Sequence, residues 1–188
     1  DRCVFERNTG HSLGGVICCE GNGYANSARI KVSNSTFWLP SGFIVAKEGG
    51  DVTAFHCTFY GHGLRSSASN DGSAMHTIGP SHIGVYNSIV WNNESPQITG
   101  QVTVWDSNVQ WGHSGYGNID EDPMFVDEAN GDFHLQSDSP CIDAGWSHYY
   151  WLPEWDIDGE DRIIDGDEDG RSLPDMGVDE YDPSPYYV

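Results

Sequence analysis

An all-β chain of short parallel strands, stacked tier on tier, is the fold this sequence predicts, and three observations predict it. The first is an internal repeat. Val32 to Trp38 (VSNSTFW), Ala54 to Tyr60 (AFHCTFY), Val85 to Trp91 (VYNSIVW) and Val104 to Gln110 (VWDSNVQ) align position by position, and Cys3-Val4-Phe5 enters the same register. The small residue of each copy (Cys3, Ser35, Cys57, Ser88, Ser107) recurs at intervals of 32, 22, 31 and 19 residues, so strand cores stay constant while loops vary. The second is a break in the strand period of two at the Asn/His/Asp position. If Ile30 and Val32 face inward, Phe37 also faces inward only if the chain bends at Asn34, and Asn and Asp tolerate the left-handed backbone such a bend needs. The third is composition: 23 Gly and 9 Pro in 188 residues favour a turn-rich β protein.

A further strand precedes each bend: Gly15 to Glu20, Gly42 to Lys47, Ala74 to Ile78 and, more weakly, Pro96 to Gly100. Three short strands, one tight corner and one variable loop per repeat describe a coil of a parallel β-helix, with roughly four to five coils in this length. Coils are expected over residues 1–117, a terminal coil and cap over 118–145, and an aromatic insertion with an acidic tail over 146–188. The first residue, Asp1, falls inside a repeat, as in a processed chain or a fragment.

The formal charge is −21 and it is unevenly placed. Residues 1–118 hold eight acids and six Lys/Arg, whereas residues 119–188 hold 21 acids and two Arg. Phosphate backbones need clustered Lys/Arg, so nucleic acid and anionic membrane are excluded as partners. No apolar run reaches the length of a membrane span, and no signal-peptide pattern opens the chain. So acidic a tail favours divalent cations and an extracellular setting.

Five cysteines are an odd number. Cys3 and Cys57 share an inner file two coils apart, roughly 9.5 Å at one strand spacing per coil, too far for a disulfide. They read as buried thiols filling a small apolar position. Cys18 and Cys19 are neighbours on a strand and face opposite sides. Asn34-Ser35-Thr36 and Asn93-Glu94-Ser95 match the glycosylation sequon, and both read as structural.

Beyond Asn118 the pattern changes. Asn118-Ile119-Asp120-Glu121-Asp122-Pro123-Met124-Phe125, Gly131-Asp132-Phe133-His134-Leu135 and Ser139-Pro140-Cys141-Ile142-Asp143-Ala144-Gly145 follow in order, continued by Asp158-Gly159, Arg162, Asp175-Met176-Gly177 and Glu180-Tyr181. This segment resembles the closing part of secreted bacterial right-handed parallel β-helix proteins of the choice-of-anchor Q type, and the repeat resembles their coils. The resemblance implies a right-handed helix and secretion more firmly than any activity. Phe125, Phe133, Leu135 and Ile142 are expected to cover the last coil, with Pro123 and Pro140 stopping further pairing.

Asp165-Gly166-Asp167-Glu168-Asp169-Gly170 is D-x-D-x-D-G, the first half of a calcium loop. Alternate carboxylates converge on one ion, and the Gly lets a following carbonyl, that of Arg171, coordinate. The twelfth position holds Met176 where a helical calcium loop has Glu, so Asp175 or Asp179 is expected to complete the set. Asp156 and Asp158 lie beside it as donors to a second ion. Trp38, Tyr60 and Trp91 are expected to point outward on consecutive coils, either as an exposed ladder for sugar rings or a protein surface or covered by a loop folded over them. Trp146, Tyr150 and Trp151, in an insertion of five Trp and Tyr in ten residues, read either as packing on the cap or as a second such platform.

Enzyme chemistry finds no convincing set of groups. Lyase action needs Arg or Lys beside calcium-binding acids, and hydrolysis needs close carboxylates; Arg29, Lys31 and Lys47 lack a carboxylate repeated on the next coil. Arg29-Ile30-Lys31 and Gly61-His62-Gly63 resemble polygalacturonase motifs, but in reversed order and without the paired aspartates. His56, His62, His76 and His82 are expected at the surface. The expectation is a secreted, calcium-stabilised structural or adhesive solenoid that self-associates head to tail or binds cell-surface glycan. A polysaccharide-binding or polysaccharide-cleaving module is the other reading.

Overall fold

The computed structural model describes residues 3–6, 17–24, 28–38, 44–61, 74–93, 96–150 and 152–184, with residues 3–6 as backbone alone. Its strands are β1 (Cys3–Glu6), β2 (Ile17–Glu20), β3 (Ala28–Trp38), β4 (Ile44–Lys47), β5 (Gly50–Tyr60), β6 (Met75–Ile78), β7 (His82–Tyr86), β8 (Ile89–Trp91), β9 (Ile98–Thr99), β10 (Val102–Trp105), β11 (Asn108–Val109), β12 (Phe125–Asp127) and β13 (Asp132–Leu135). The fold is all-β, and its two main sheets are parallel. One runs β1-β3-β5-β7-β10, with β8 and β11 paired beyond the bend; the other runs β2-β4-β6-β9.

The repeat aligns in space as it does in sequence. Cys3 pairs with Ser35 and Ser35 with Cys57; Trp38 pairs with Tyr60 and Tyr60 with Trp91; Ala54 pairs with both Val32 and Val85. Inward files follow from that register. Val32, Ala54, Val85 and Val104 line the interior before the corner, and Phe37, Phe59, Val90 and Val109 after it, facing Ile44, Ala46 and Met75 of the other sheet. Phe37 and Phe59 stack with centroids 4.6 Å apart.

The corner has the conformation its residue types require. Asn34, His56, Asn87 and Asp106 all have positive φ, between 46° and 50°. A Cβ-bearing residue other than Asn or Asp carries a cost of about 1–2 kcal/mol there. Just inside the bend, the small residues bridge the tiers: the Cys57 and Ser88 amides donate to Ser88 Oγ and Ser107 Oγ, each at 3.1 Å, and the Ser107 amide donates to Asn118 Oδ1. His56 is therefore buried rather than at the surface, because its place in the repeat is the corner. Asn34 and Asn93 of the two sequons are buried as well, and Asn93 Nδ2 donates to the carbonyls of Phe59 and Trp91.

The C-terminal segment lies elsewhere than over the last coil. Ile119 bridges to Asn108 and continues the stack by one step. The chain then turns back along the outer face of β3, β5 and β8, where β12 and β13 form an antiparallel pair. Phe125, Phe133, Leu135 and Ile142 join Ile89, Cys141, Met176 and Val178 in a second core, with Trp38, Tyr60 and Trp91 packed against it. The outer strip of rings and Ile89 is an apolar surface to be covered, and each buried Phe or Leu contributes about 1.5–3 kcal/mol. Gly177 (φ 104°) sits so close to this face that an added Cβ would lie 2.8 Å from Ile89 Cδ1.

Asn87 tests the corner. It holds positive φ, and its side chain bonds to both backbone groups of Trp146 and to His56 Nε2. Asn87→Gly keeps the backbone and loses those bonds, and is expected to cost about 2–4 kcal/mol. Asn87→Ala should be worse by a further 1–2 kcal/mol or so, because Ala resists the left-handed region. Urea denaturation at constant slope reads both; equal stability of the two variants would refute the account.

Candidate functional site

Corner side chains project out of the stack and fasten the C-terminal segment. Asn34 Nδ2 donates to Trp155 O at 2.5 Å, and Asn34 Oδ1 accepts from Arg162 at 2.9 Å. Asn87 holds Trp146, and Asp106 Oδ2 accepts from Tyr149 OH at 2.6 Å. Tyr149 also packs on Phe55 and Tyr86, which stack at 4.9 Å, with Trp105 edge-on to Tyr86. This second outward aromatic file, before the corner, escaped the sequence reading although the repeat alignment places its members in one column.

Arg162 is the buried hub of the segment. Its guanidinium donates to the carbonyls of Val178 and Asp179 at 2.7 and 3.0 Å and lies 3.7 Å from Glu180. Four carboxylates are buried around it: Asp156, Asp175, Asp179 and Glu180. Burial, then the charge of Asp175, pushes Glu180 upward, while Arg162 and backbone donors pull it back. Both Glu180 oxygens accept backbone N–H bonds, from Ile164 and Asp175, the geometry of an ionised acceptor held by Arg162.

Asp175 is turned away from the D-x-D-x-D-G loop. Its oxygens accept from the amides of Asp143 and Tyr181, and it belongs to none of the convergent groups of side-chain ligand atoms among the described residues. Asp169 Oδ1 accepts from the Arg171 amide, and Asp169 joins no convergent group of side-chain ligand atoms among the described residues. Asp165 and Asp167 instead converge with Asp143, ligand atoms all within 4.8 Å of one another. Asp143 Oδ2 also accepts from the amides of Gly166 and Asp167, and its Oδ1 from Leu173. Asp165 Oδ1 is buried without a hydrogen-bond partner. No local spacing announced Asp143, which lies in a different motif 22 residues upstream.

Asp156 and Asp158 belong to neighbouring groups that share Asp179. Asp156, Glu160 and Asp179 form one; His134, Asp158 and Asp179 form the other. Asp156 Oδ1 accepts from three successive amides, of Asp158, Gly159 and Glu160. Glu160 is pushed up to about 7 by burial and then by the charges of Asp156 and Asp179. His134 meets Asp132 through Nδ1 and Asp158 through Nε2, both at 2.5 Å. Burial lowers its affinity for a proton, but those carboxylates and Asp179 raise it more, to about 9.

Trp38, Tyr60 and Trp91 lie outside the stack but under the C-terminal segment. Trp38 meets Phe133 edge-on at 6.3 Å, and Tyr60 meets Phe125 and Phe133 at 5.8 and 5.3 Å. The ladder is thus roofed rather than open, since its rings are the strip that the second core covers. Its edges reach two clefts. One of about 400 Å³ is bordered by Trp38, Asn130, His134 and Asp158; the other, of about 380 Å³, is bordered by Tyr60, Trp91, Asn92 and Glu128. Trp146 and Tyr150 are exposed, and Trp151 lies outside the described residues.

No protein-family model, curated protein or solved structure matches this chain.

Two of the buried thiols are poor nucleophiles. Burial pushes Cys57 and Cys141 up to about 12, so both are neutral thiols. His56 is held neutral by burial and by Arg162 nearby. His76 and His82 bond to Thr99 and Thr103, and His82 also lies 3.5 Å from Asp51; His62 lies outside the described residues.

Arg162→Met is expected to cost about 3–5 kcal/mol in chemical denaturation, because buried carboxylates lose their cation. A cost under about 0.5 kcal/mol would show that Arg162 does not balance them. His134 gives a pH signature. Its folded value near 9 lies above the ordinary 6.5, so its stabilisation is complete below pH 6.5 and vanishes as pH rises through 9. In chelating buffer, the melting temperature of wild type should exceed that of His134→Gln at pH 6 and converge with it at pH 10. A constant gap would sink the assignment.

Proposed function

We propose that the chain is a right-handed parallel β-helix of secreted bacterial type whose role is structural or adhesive, with calcium stabilising its C-terminal segment. The observation that carries this reading is the use of the outer strand face: the strip formed by Trp38, Tyr60, Trp91 and Ile89 serves to seat the chain's own segment. A surface spent on self-bracing stiffens a solenoid, which otherwise relies on neighbour-to-neighbour contacts alone. Stacked parallel strands with a left-handed corner in every tier support the helical fold, and the closing motifs support secretion.

Calcium is assigned to Asp143, Asp165 and Asp167. Three convergent carboxylates, one with a buried, unpartnered oxygen, suit a hard cation with oxygen ligands. Extracellular modules of this kind bind calcium at about 10⁻⁴–10⁻³ M, which fits the proposed location. Calcium near 1 mM should raise the melting temperature by several degrees over chelator, because the ion binds the folded state alone. The double change Asp165→Asn with Asp167→Asn should remove at least part of that rise. An identical melting curve with calcium and with chelator would overturn the proposal.

Head-to-tail self-association extends the same reading. The side chains of the first tier and residues 185–188, which would make the contact, lie outside the described residues. Light scattering at high concentration with calcium is expected to detect oligomers that grow with concentration. A monodisperse monomer would refute assembly while leaving the calcium site standing. A second reading, glycan binding, is favoured by the two clefts at the ladder's edges and by exposed Trp146 and Tyr150. Glycan binding weakened by Trp146→Ala would place it first.

A further inference from the structure

Apart from the Asp143, Asp165 and Asp167 group, one oxygen in the segment has no counterpart. Asp179 is 3% exposed, and its Oδ2 accepts from the Leu135 amide at 2.8 Å. Its Oδ1 is fully buried and has no hydrogen-bond partner; the nearest cationic atom, His134 Nε2, is 3.9 Å away and bonded to Asp158. A buried carboxylate oxygen left unpaired costs about 1–3 kcal/mol or more, so its persistence calls for a ligand.

The surroundings define that ligand's chemistry. Asp156 and Glu160 place carboxylate oxygens within 4.8 Å of the Asp179 ligand atom and of each other. Charge points the same way. The buried carboxylates Asp156, Asp175, Asp179 and Glu180 face one buried guanidinium, Arg162, and half-buried Glu160 adds another acid. The half-exposed His134 offsets one charge at the rim, and the remaining excess is negative. A proton could relieve it, and burial does push Asp179 up to about 6. A proton, however, satisfies one oxygen, whereas a divalent cation engages all three side chains at once. The cleft bordered by Trp38, His134 and Asp158 reaches Asp179 and gives an ion a route inward.

We propose that Asp156, Glu160 and Asp179 form a second cation site, specific for a hard divalent ion such as calcium, that ties the Asp156 turn to the strand-bound end of the segment. It stands independently of the Asp165 loop. Asp156 keeps its four amide bonds in such a site: Oδ1 takes those of Asp158, Gly159 and Glu160, while Oδ2 takes only that of Glu180, at 3.1 Å, and has a second acceptor direction open to the ion.

The test uses the full chain carrying Asp165→Asn and Asp167→Asn, followed by calcium-dependent melting and by terbium luminescence sensitised by Trp155 and Trp38. Calcium is expected to raise the melting temperature of this background by about 3 °C or more, and Glu160→Gln should abolish that rise. Glu160 is half-buried at the rim, so its substitution spares the fold. Asp179→Asn is a second probe: its amide keeps an acceptor for Leu135 and offers a donor to Asp156 and Glu160. In chelator it should therefore melt at or above its background, with no response to calcium. A background without calcium response overturns this site and leaves the Asp165 proposal intact. A response that survives both Glu160→Gln and Asp179→Asn also overturns it. Zinc binding tighter than calcium, lost in His134→Gln, would move the site onto the imidazole and overturn the oxygen-donor assignment. Conversely, a wild-type response untouched by the Asp165 and Asp167 changes but abolished by Glu160→Gln refutes the loop and upholds this site.

Discussion

Everything in this molecule hangs on a single backbone conformation repeated in four tiers. Asn34, His56, Asn87 and Asp106 each take positive φ and switch the side-chain alternation, so residues on both sides of the bend feed one interior. Without that switch, Phe37, Phe59 and Val90 would leave the core in which Val32, Ala54 and Val85 lie, and a one-residue slip of a strand inverts its faces. The corner also sets what leaves the stack. Its polar side chains stand in a column on the outside, and three of the four bond directly to the returning segment.

The returning segment answers two demands at once. It covers the apolar strip of Trp38, Tyr60, Trp91 and Ile89, and it satisfies the column of corner groups. Its own interior is polar, with Arg162 bonded to the backbone of residues 178 and 179 and to Asn34. Buried ion groups of this kind rarely add net stability over an apolar core, but they are severe on misplacement, since each lost partner strands a charge. Such an arrangement selects one docking of the segment among the many that an apolar strip alone would accept.

Much of this was legible in the sequence, and the legible part is local. Left-handed bends favour Asn and Asp, so the corner is written in one residue per tier, and the small residue after it marks the inner file. Pairing of Cys3, Ser35 and Cys57 follows from the same alignment. What the sequence left open depends on which way a side chain turns at long range. D-x-D-x-D-G spacing identifies Asp165 and Asp167 but says nothing of Asp143, and Asp175 spends its oxygens on backbone amides. Phe125 and Phe133 declare that something is to be buried, without declaring against what. His56 resembled a surface histidine until the repeat position was taken as its address.

The bridges inside the bend have a direction. Each amide of the marker file finds its acceptor in the tier that follows, from Cys57 to Ser88, from Ser88 to Ser107, and finally from Ser107 to the amide side chain of Asn118. Every junction in that file is chemically the same, donor behind and acceptor ahead, until Asn118 terminates it. A whole tier could therefore be duplicated or excised between Cys57 and Ser107 without orphaning a single group in the file. Lengthening past Asn118 would have to supply a new terminator. Growth of this stack by tandem duplication is open between Cys57 and Ser107 and closed at Asn118.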